Sequence, residues 1–405
     1  MSKKKRKTNK RPAVSKTKKS GDSRKGLTRI KVVGIGGGGG NAVSRMMAGE
    51  RPRGVEFIAV NTDAQDLDYT VAHKKIYIGK ALTRGLGAGM NPEIGKQAAE
   101  ENRSEIGEAL EGADIVFITA GMGGGTGTSG SAVIAEIAKE KGILTVAVVT
   151  KPFAFEGAQR MSIAQEGLSR LKEKVDALVI IPNDRIFSLI DKDTPILKAF
   201  SFIDDVLKQA VQAITELVNM PGIINVDFAD VKTVLKDAGT TLIGIGTASG
   251  QDRSIKAVNS AINSPLLEVS LDGAKGIVFS IAGTKDLKMS EINEIAKAIS
   301  ANLDANARVI FGAYHDRGLK DKALKVTVIA TGFNGVFPQR SMMPSLFVTS
   351  ESAKKDTKTG LSQEEKQERA EEGVEEKERG SKFNPPKLDK NEPWEIPTFL
   401  RKKKK

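Results

Sequence analysis

The chain of 405 residues contains no cysteine and only two histidines, His73 and His315. Disulfides and thiolate metal sites are therefore excluded, and a histidine-based zinc site or a Ser-His-Asp triad has little to draw on. The longest apolar runs, such as Ile143 to Val149, are far too short to span a bilayer. No apolar segment follows the basic N-terminus, so it does not read as a secretory signal, and the cytoplasm is the expected compartment. No G-x-x-x-x-G-K-[ST] occurs anywhere, which excludes a Walker P-loop.

What is present begins with 39% apolar residues, enough for real cores in two or three units. The net charge of +13 is concentrated at the ends, because roughly a dozen Lys and Arg lie between Lys3 and Arg29 and Arg401 to Lys405 closes the chain. Such tails are solvated arms that touch anionic lipid or nucleic acid weakly. Residues 1–28 have almost nothing apolar to bury and are expected to be disordered, as is the Glu- and Lys-rich stretch 338–390. Beyond it, Glu392-Pro-Trp-Glu-Ile-Pro-Thr-Phe-Leu-Arg401 sets the sole Trp among further apolar anchors, the pattern of a peptide (391–405) that folds against a partner.

The segment that organises the rest is Gly121-Met-Gly-Gly-Gly-Thr-Gly-Thr-Ser-Gly130, between the apolar run 114–120 and a stretch of helical periodicity from Ser131. Glycines let backbone N–H groups converge, and a following helix N-terminus adds its dipole, so a phosphate chain is the natural guest. Thr126 and Thr128 can add hydroxyl donors. A second such unit runs from strand Ile30 to Gly36 through Gly36-Gly-Gly-Gly-Gly-Asn41 into a helix at 42–47. Further strands are expected at 55–60, 144–149 and 177–181, alternating with helices that include 93–110, capped by Asn91 with Pro92 first. The alternation predicts an α/β fold, a parallel sheet covered on both faces, with ligands at the carboxyl ends of its strands. Apolar residues at spacings of three and four predict one long helix from Thr194 to about Met220. It would join the first domain, 29–193, rigidly through 194–221 to a smaller α/β domain at 222–337, with strands near 242–246, 276–282, 308–312 and 325–331.

Gly34-x-Gly36-x-x-Gly39 formally satisfies the dinucleotide pattern, so a nicotinamide-dependent oxidoreductase is the competing reading. The strand after it ends in Asn61 rather than an acid, and a dinucleotide fold has no evident need of the second glycine loop. Taken alone, Asp227 reads first as the cap of a helix at 228–236, with Asp230 at its third position favouring the same helix dipole.

Gly123-Gly-Gly-Thr-Gly-Thr128, Gly36 to Asn41, Asn61-Thr-Asp-Ala-Gln65, Lys151-Pro-Phe-Ala-Phe-Glu-Gly157 and Asn225-Val-Asp-Phe-Ala-Asp230 together resemble the FtsZ family, the bacterial tubulin-like division GTPases. The resemblance spans about 30–333 and resumes at the terminal peptide. It implies a tubulin-like arrangement, a Rossmann-like GTPase domain and a second domain, and GTP or GDP with Mg2+ on the rim. Gly37, Gly38, Gly39, Gly40 and Asn41, with Gly123, Gly124, Gly125, Thr126, Gly127 and Thr128, would cradle the phosphates, with Asn61 on the same rim. Glu156 and Arg160 would lie near ribose and phosphates, Phe200 on the guanine, Asp204 on its N1–H and 2-amino groups, and Asn183 nearby. Asn225, Asp227 and Asp230 would be catalytic, acting on nucleotide held by the next subunit of a head-to-tail filament. The terminal peptide would bind a division-ring adaptor or membrane tether. One departure stands out: Ser129 follows Thr128 where the family usually has Gly, adding a donor or crowding the phosphates.

Overall fold

The computed structural model of the chain describes residues 28–48, 54–191, 193–220, 222–264, 273–301, 303–304, 306–316 and 318–333. The expectations for residues 1–27, the charged stretch 338–390 and the terminal peptide lie outside these. The first domain runs β1 (Ile30–Ile35), α1 (Gly36–Ala48), β2 (Val55–Asn61), α2 (Ala64–Tyr69), β3 (Lys74–Tyr77), α3 (Lys80–Thr83), α4 (Pro92–Glu101), α5 (Arg103–Leu110), β4 (Ile115–Gly121), α6 (Gly125–Glu140), β5 (Leu144–Lys151), α7 (Ala158–Lys174) and β6 (Ala177–Pro182). Then follow α8 (Ile196–Asn219), β7 (Gly222–Ile224), α9 (Phe228–Leu235), β8 (Gly239–Ser249), α10 (Arg253–Ile262), β9 (Gly276–Gly283), α11 (Met289–Ser300), β10 (Arg308–His315) and β11 (Ala323–Thr331).

Strands β3-β2-β1-β4-β5-β6 lie in that order, all parallel. Alternate residues of one strand serve opposite faces. Val33 and Ile35 join the core beneath α4 to α7, whereas Ile30 and Val32 join the core that holds Met46 of α1 and Leu207, Val211 and Ile214 of α8. Both faces are buried, which is why these strands read as unbroken apolar runs. The order reverses direction between β1 and β4, so their carboxyl ends open onto a crevice at the switch point.

Helix α8 is 24 residues long, about 36 Å at ~1.5 Å per residue. Its apolar stripe packs on the first sheet and also meets Val278 and Ile329 of the second domain. There, β8, β11, β9, β10 and β7 form a mixed sheet, with β9 and β10 parallel and the other pairs antiparallel. Among the described residues, Ala177 and Leu178 of β6, opposite Gly239 and Thr240, are the strand pairs that stitch the two sheets together.

The expected helix 93–110 is two helices. Asn91 does cap the first, accepting from the N–H of Glu93 at 3.0 Å, and Pro92 opens it. Asn102 divides them because its side chain is engaged elsewhere, accepting from Gly79 N–H and donating to Glu105, both at 3.0 Å. The glycine runs also differ from expectation: α1 begins at Gly36 and α6 at Gly125, so most of each run is the first turns of a helix.

Candidate functional site

Glycine is a poor helix former, so its repetition at two helix starts needs a packing reason. A methyl group at Gly39 would strike the Thr119 carbonyl oxygen, and one at Gly127 would lie 2.6 Å from that of Gly121. The missing side chains let α1 and α6 begin directly over β4 and against each other. Two helix starts then present N–H groups that have no intrahelical carbonyl to reach, and their dipoles add.

A cavity of about 400 Å³ opens at this point. Gly37, Gly38 and Asn41 border it from α1, and Gly124, Gly125, Thr126 and Gly127 from the second glycine segment. Gly39, Gly40, Asn61, Gly123 and Thr128 do not border it. Thr128 and Gly123 brace each other, the Thr128 hydroxyl accepting from Gly123 N–H at 2.8 Å, while the hydroxyl of Thr126, which does border the cavity, shares a 2.6 Å hydrogen bond with Thr62. The Gly125 N–H reaches the Gly89 carbonyl at 2.7 Å, so the amides free to meet an anion in the first turn of α6 are those of Thr126 and Gly127. Ser129 is buried in α6 away from the cavity and neither crowds it nor donates into it.

The same cavity also brings together Glu156, Arg160, Asn183, Phe200 and Asp204, with Arg160 packed against Gly123 of the second glycine segment. Glu156 and Arg160 form an ion pair of 3.0 Å. Phe200, which helical spacing alone would put in a core, is 44% exposed and sets its ring edge-on to Phe153 at 5.7 Å, leaving a face for a planar guest. The buried Asn183 Oδ1 has no hydrogen-bond partner, an acceptor awaiting a donor. Asp204 pairs with Arg45 at 3.3 Å; burial raises its carboxyl above the ordinary aspartate range, while Arg45 pulls the other way. Arg45 escaped the sequence reading because its partner lies on α8, far along the chain. Thr150, at the end of β5, also borders the cavity, as the rule of strand carboxyl ends would have indicated.

Asn225, Asp227 and Asp230 do not border this cavity; all three are exposed, on the segment joining β7 to α9 and on the first turn of α9. Asp227 has the backbone of an N-cap, yet its side chain caps nothing. Asn225 Oδ1 accepts from Gly222 N–H at 2.6 Å and braces the turn.

A crevice at the switch point of a 3-2-1-4-5-6 sheet suits several nucleotides, and comparison with known proteins decides among them. The Tubulin/FtsZ family GTPase domain matches residues 29–191, and the FtsZ family C-terminal domain matches residues 239–334. An empty FtsZ dimer from M. jannaschii is 48% identical, covering 76% of this chain and 89% of that one, with a TM-score of 0.72. A tryptophan-to-tyrosine mutant of FtsZ from M. jannaschii is also 48% identical, with 76% and 91% covered and a TM-score of 0.71. CetZ2 from Haloferax volcanii, a GTPγS-bound protofilament, is 22% identical over 77% of this chain and 95% of its own, TM-score 0.66, a likeness of fold. Two glycine-rich helix starts on one parallel sheet, a second α/β domain beyond a long helix, and these matches make one statement: the chain belongs to the tubulin/FtsZ family and is a GTPase.

Proposed function

We propose that the chain binds GTP in the switch-point cavity, polymerises head to tail into filaments of a bacterial division ring in the cytoplasm, and hydrolyses nucleotide at a site completed between adjacent subunits. The limits 29–193, 194–221 and 222–337 are taken as GTP-binding domain, central helix and second domain. The first-turn amides of α1 and α6 hold the phosphates, with Gly39, Gly40, Gly123 and Thr128 shaping the two turns. Phe200 stacks on guanine, Asp204 accepts from its N1–H and 2-amino groups, Asn183 Oδ1 accepts a further donor, and Glu156 and Arg160 hold the ribose side. Adenine carries no N1–H, so the carboxylate selects guanine.

The side-chain oxygens that border the glycine turns are those of Asn41 and Thr126, neutral donors of the kind a hard cation takes beside phosphate oxygens and waters, and no cluster of three acidic or histidine side chains that could hold a metal lies among the described residues. Bound Mg2+ would neutralise developing phosphate charge. Alignment of a water is the remaining task, and the observation that carries the shared-site reading is that Asp227 and Asp230 are exposed and Asp227 does not use its carboxylate as a cap. On a neighbouring subunit they would be free to polarise that water, with Asn225 holding the turn. Contacts that join one end of a subunit to the other end of the next do not close, and so build a filament. The M. jannaschii relative described as a dimer and the CetZ2 protofilament favour self-association. Residues 392–401 are proposed to bind a division-ring adaptor or membrane tether, and the basic tails to touch anionic lipid or nucleic acid weakly.

The test is GTPase rate per subunit against protein concentration. It should rise steeply with concentration, and Asp230→Ala should bind GTP normally but lose turnover by about a hundredfold or more. A rate per subunit that is unchanged on dilution overturns the shared site. NAD should fail to displace GTP, and displacement would restore the oxidoreductase reading.

A further inference from the structure

Asn61 ends β2, is 4% exposed and yet does not border the nucleotide cavity. Its Oδ1 accepts from the N–H of Thr62 at 2.9 Å and of Asp63 at 3.3 Å, and its Nδ2 donates to Asp66 Oδ2 at 2.7 Å. The backbone N–H of Asp66 in turn donates to Asp63 Oδ1 at 3.0 Å, so the first turn of α2 is fixed on two sides. The Asp66 Oδ2 atom lies 3.1 Å from the position a Cβ would take at Gly37, in the first turn of α1 and on the cavity rim. None of the ion pairs among the described residues includes Asp66. A first-turn acid suits the α2 dipole, but that role needs only charge near the helix start and not the Asn61 amide that turns the carboxylate toward Gly37.

A negative group is therefore held against the glycine turn whose amides attract an anion. We propose that Asp66, aimed by Asn61, is a specificity-determining residue that makes nucleotide binding depend on a divalent cation: it disfavours a bare triphosphate and admits one whose charge the cation has compensated. The proposal rests on the reading of this rim as the GTP site. Repulsion between like charges about 4 Å apart is worth roughly fivefold in binding at the dielectric of water and more near a protein surface, so about tenfold is expected at this solvent-facing rim, and a divalent cation between them reverses its sign. Asn61 is then a positioning residue, acting on the nucleotide through Asp66. The effect is larger for GTP than for GDP, because the triphosphate carries more charge to the rim.

The experiment is titration of the full chain and of Asp66→Asn with fluorescent GTP and GDP analogues, in Mg2+ and in EDTA. The variant keeps an oxygen to accept from Asn61. Asp66→Asn should bind GTP about tenfold more tightly than the parent in EDTA, bind GDP with a smaller gain, and lose the advantage in Mg2+. Asn61→Ser, which keeps the carboxylate but removes its anchor, should move in the same direction by a smaller factor, and it carries the test if Asp66→Asn does not fold. Equal affinities of parent and variants in EDTA, or a gain of the same size in Mg2+, overturns the proposal and leaves the GTP site standing. Failure of the parent chain to bind GTP in either buffer removes both.

Discussion

In the proposed function Asp204 is the residue on which guanine selection turns, and its environment would make that selection sensitive to pH. Burial raises its pKa and Arg45 opposes the rise, so below the raised value the side chain is protonated in the fold and accepts fewer hydrogen bonds. The sign for stability follows: the folded form holds its proton more tightly than the unfolded chain, so the unliganded fold loses stability as pH rises through the raised pKa. Guanine binding as proposed would run the other way, because it uses the anion. GTP affinity should fall on acidification at a higher pH than an ordinary aspartate would titrate, and Asp204→Asn should bind about tenfold to a hundredfold more weakly without that pH dependence. Fluorescent-nucleotide titration across the acid range measures both. The resemblance named Asp204 as a contact to guanine; its partner Arg45, 159 residues earlier, carries no sequence signal because only packing of α1 against α8 joins them.

Among the elements, the glycine-rich starts of α1 and α6 show what periodicity misses. A run of glycines reads as a loop because each costs a helix about 1 kcal/mol relative to alanine. Here tertiary contact overrides that preference, since Gly39 and Gly127 sit where any side chain would strike a backbone carbonyl. Ser129, in contrast, occupies a buried position in α6 and does not border the cavity. Ser129→Gly should lower the unfolding free energy by about 0.5 kcal/mol and leave GTP affinity unchanged; a changed affinity in the titration would place the serine on the phosphates after all. The stretch 93–110 divides into two helices for a related reason, because the competing partner of Asn102 is the distant Gly79 amide, which no local pattern reveals.

Across the whole molecule, the first sheet is tied to the second by α8 and by two residue pairs between β6 and β8. A polar cluster reinforces the tie: Glu216 of α8 accepts from the Tyr314 hydroxyl of β10 and from Lys325 of β11, both at 2.8 Å, with Asp316 at 3.5 Å from Lys325. Burial pushes the Tyr314 phenol upward, with Glu216 adding to the shift, so it remains a neutral donor. Glu216→Ala takes the acceptor from the Tyr314 hydroxyl and leaves the Lys325 ammonium with Asp316 at 3.5 Å as its partner, and should cost about 2–3 kcal/mol in denaturant unfolding. Combining it with Lys325→Met should recover part of that loss; full additivity would show that the pair does not act together.

The strand, glycine-turn and helix repeat, the covered parallel sheet and the long apolar-striped helix were legible in the chain, because their signals are local: period two, period three to four, and glycine where amides must converge. So was the family, through long motifs in order. Which glycines face the guest and which pack on carbonyls, that Asn61 serves Asp66, and that Phe200 stands exposed beside the cavity were decided by tertiary structure. Each depends on groups far apart in sequence whose distance is set only when α1, α2, α6 and α8 settle on the same sheet.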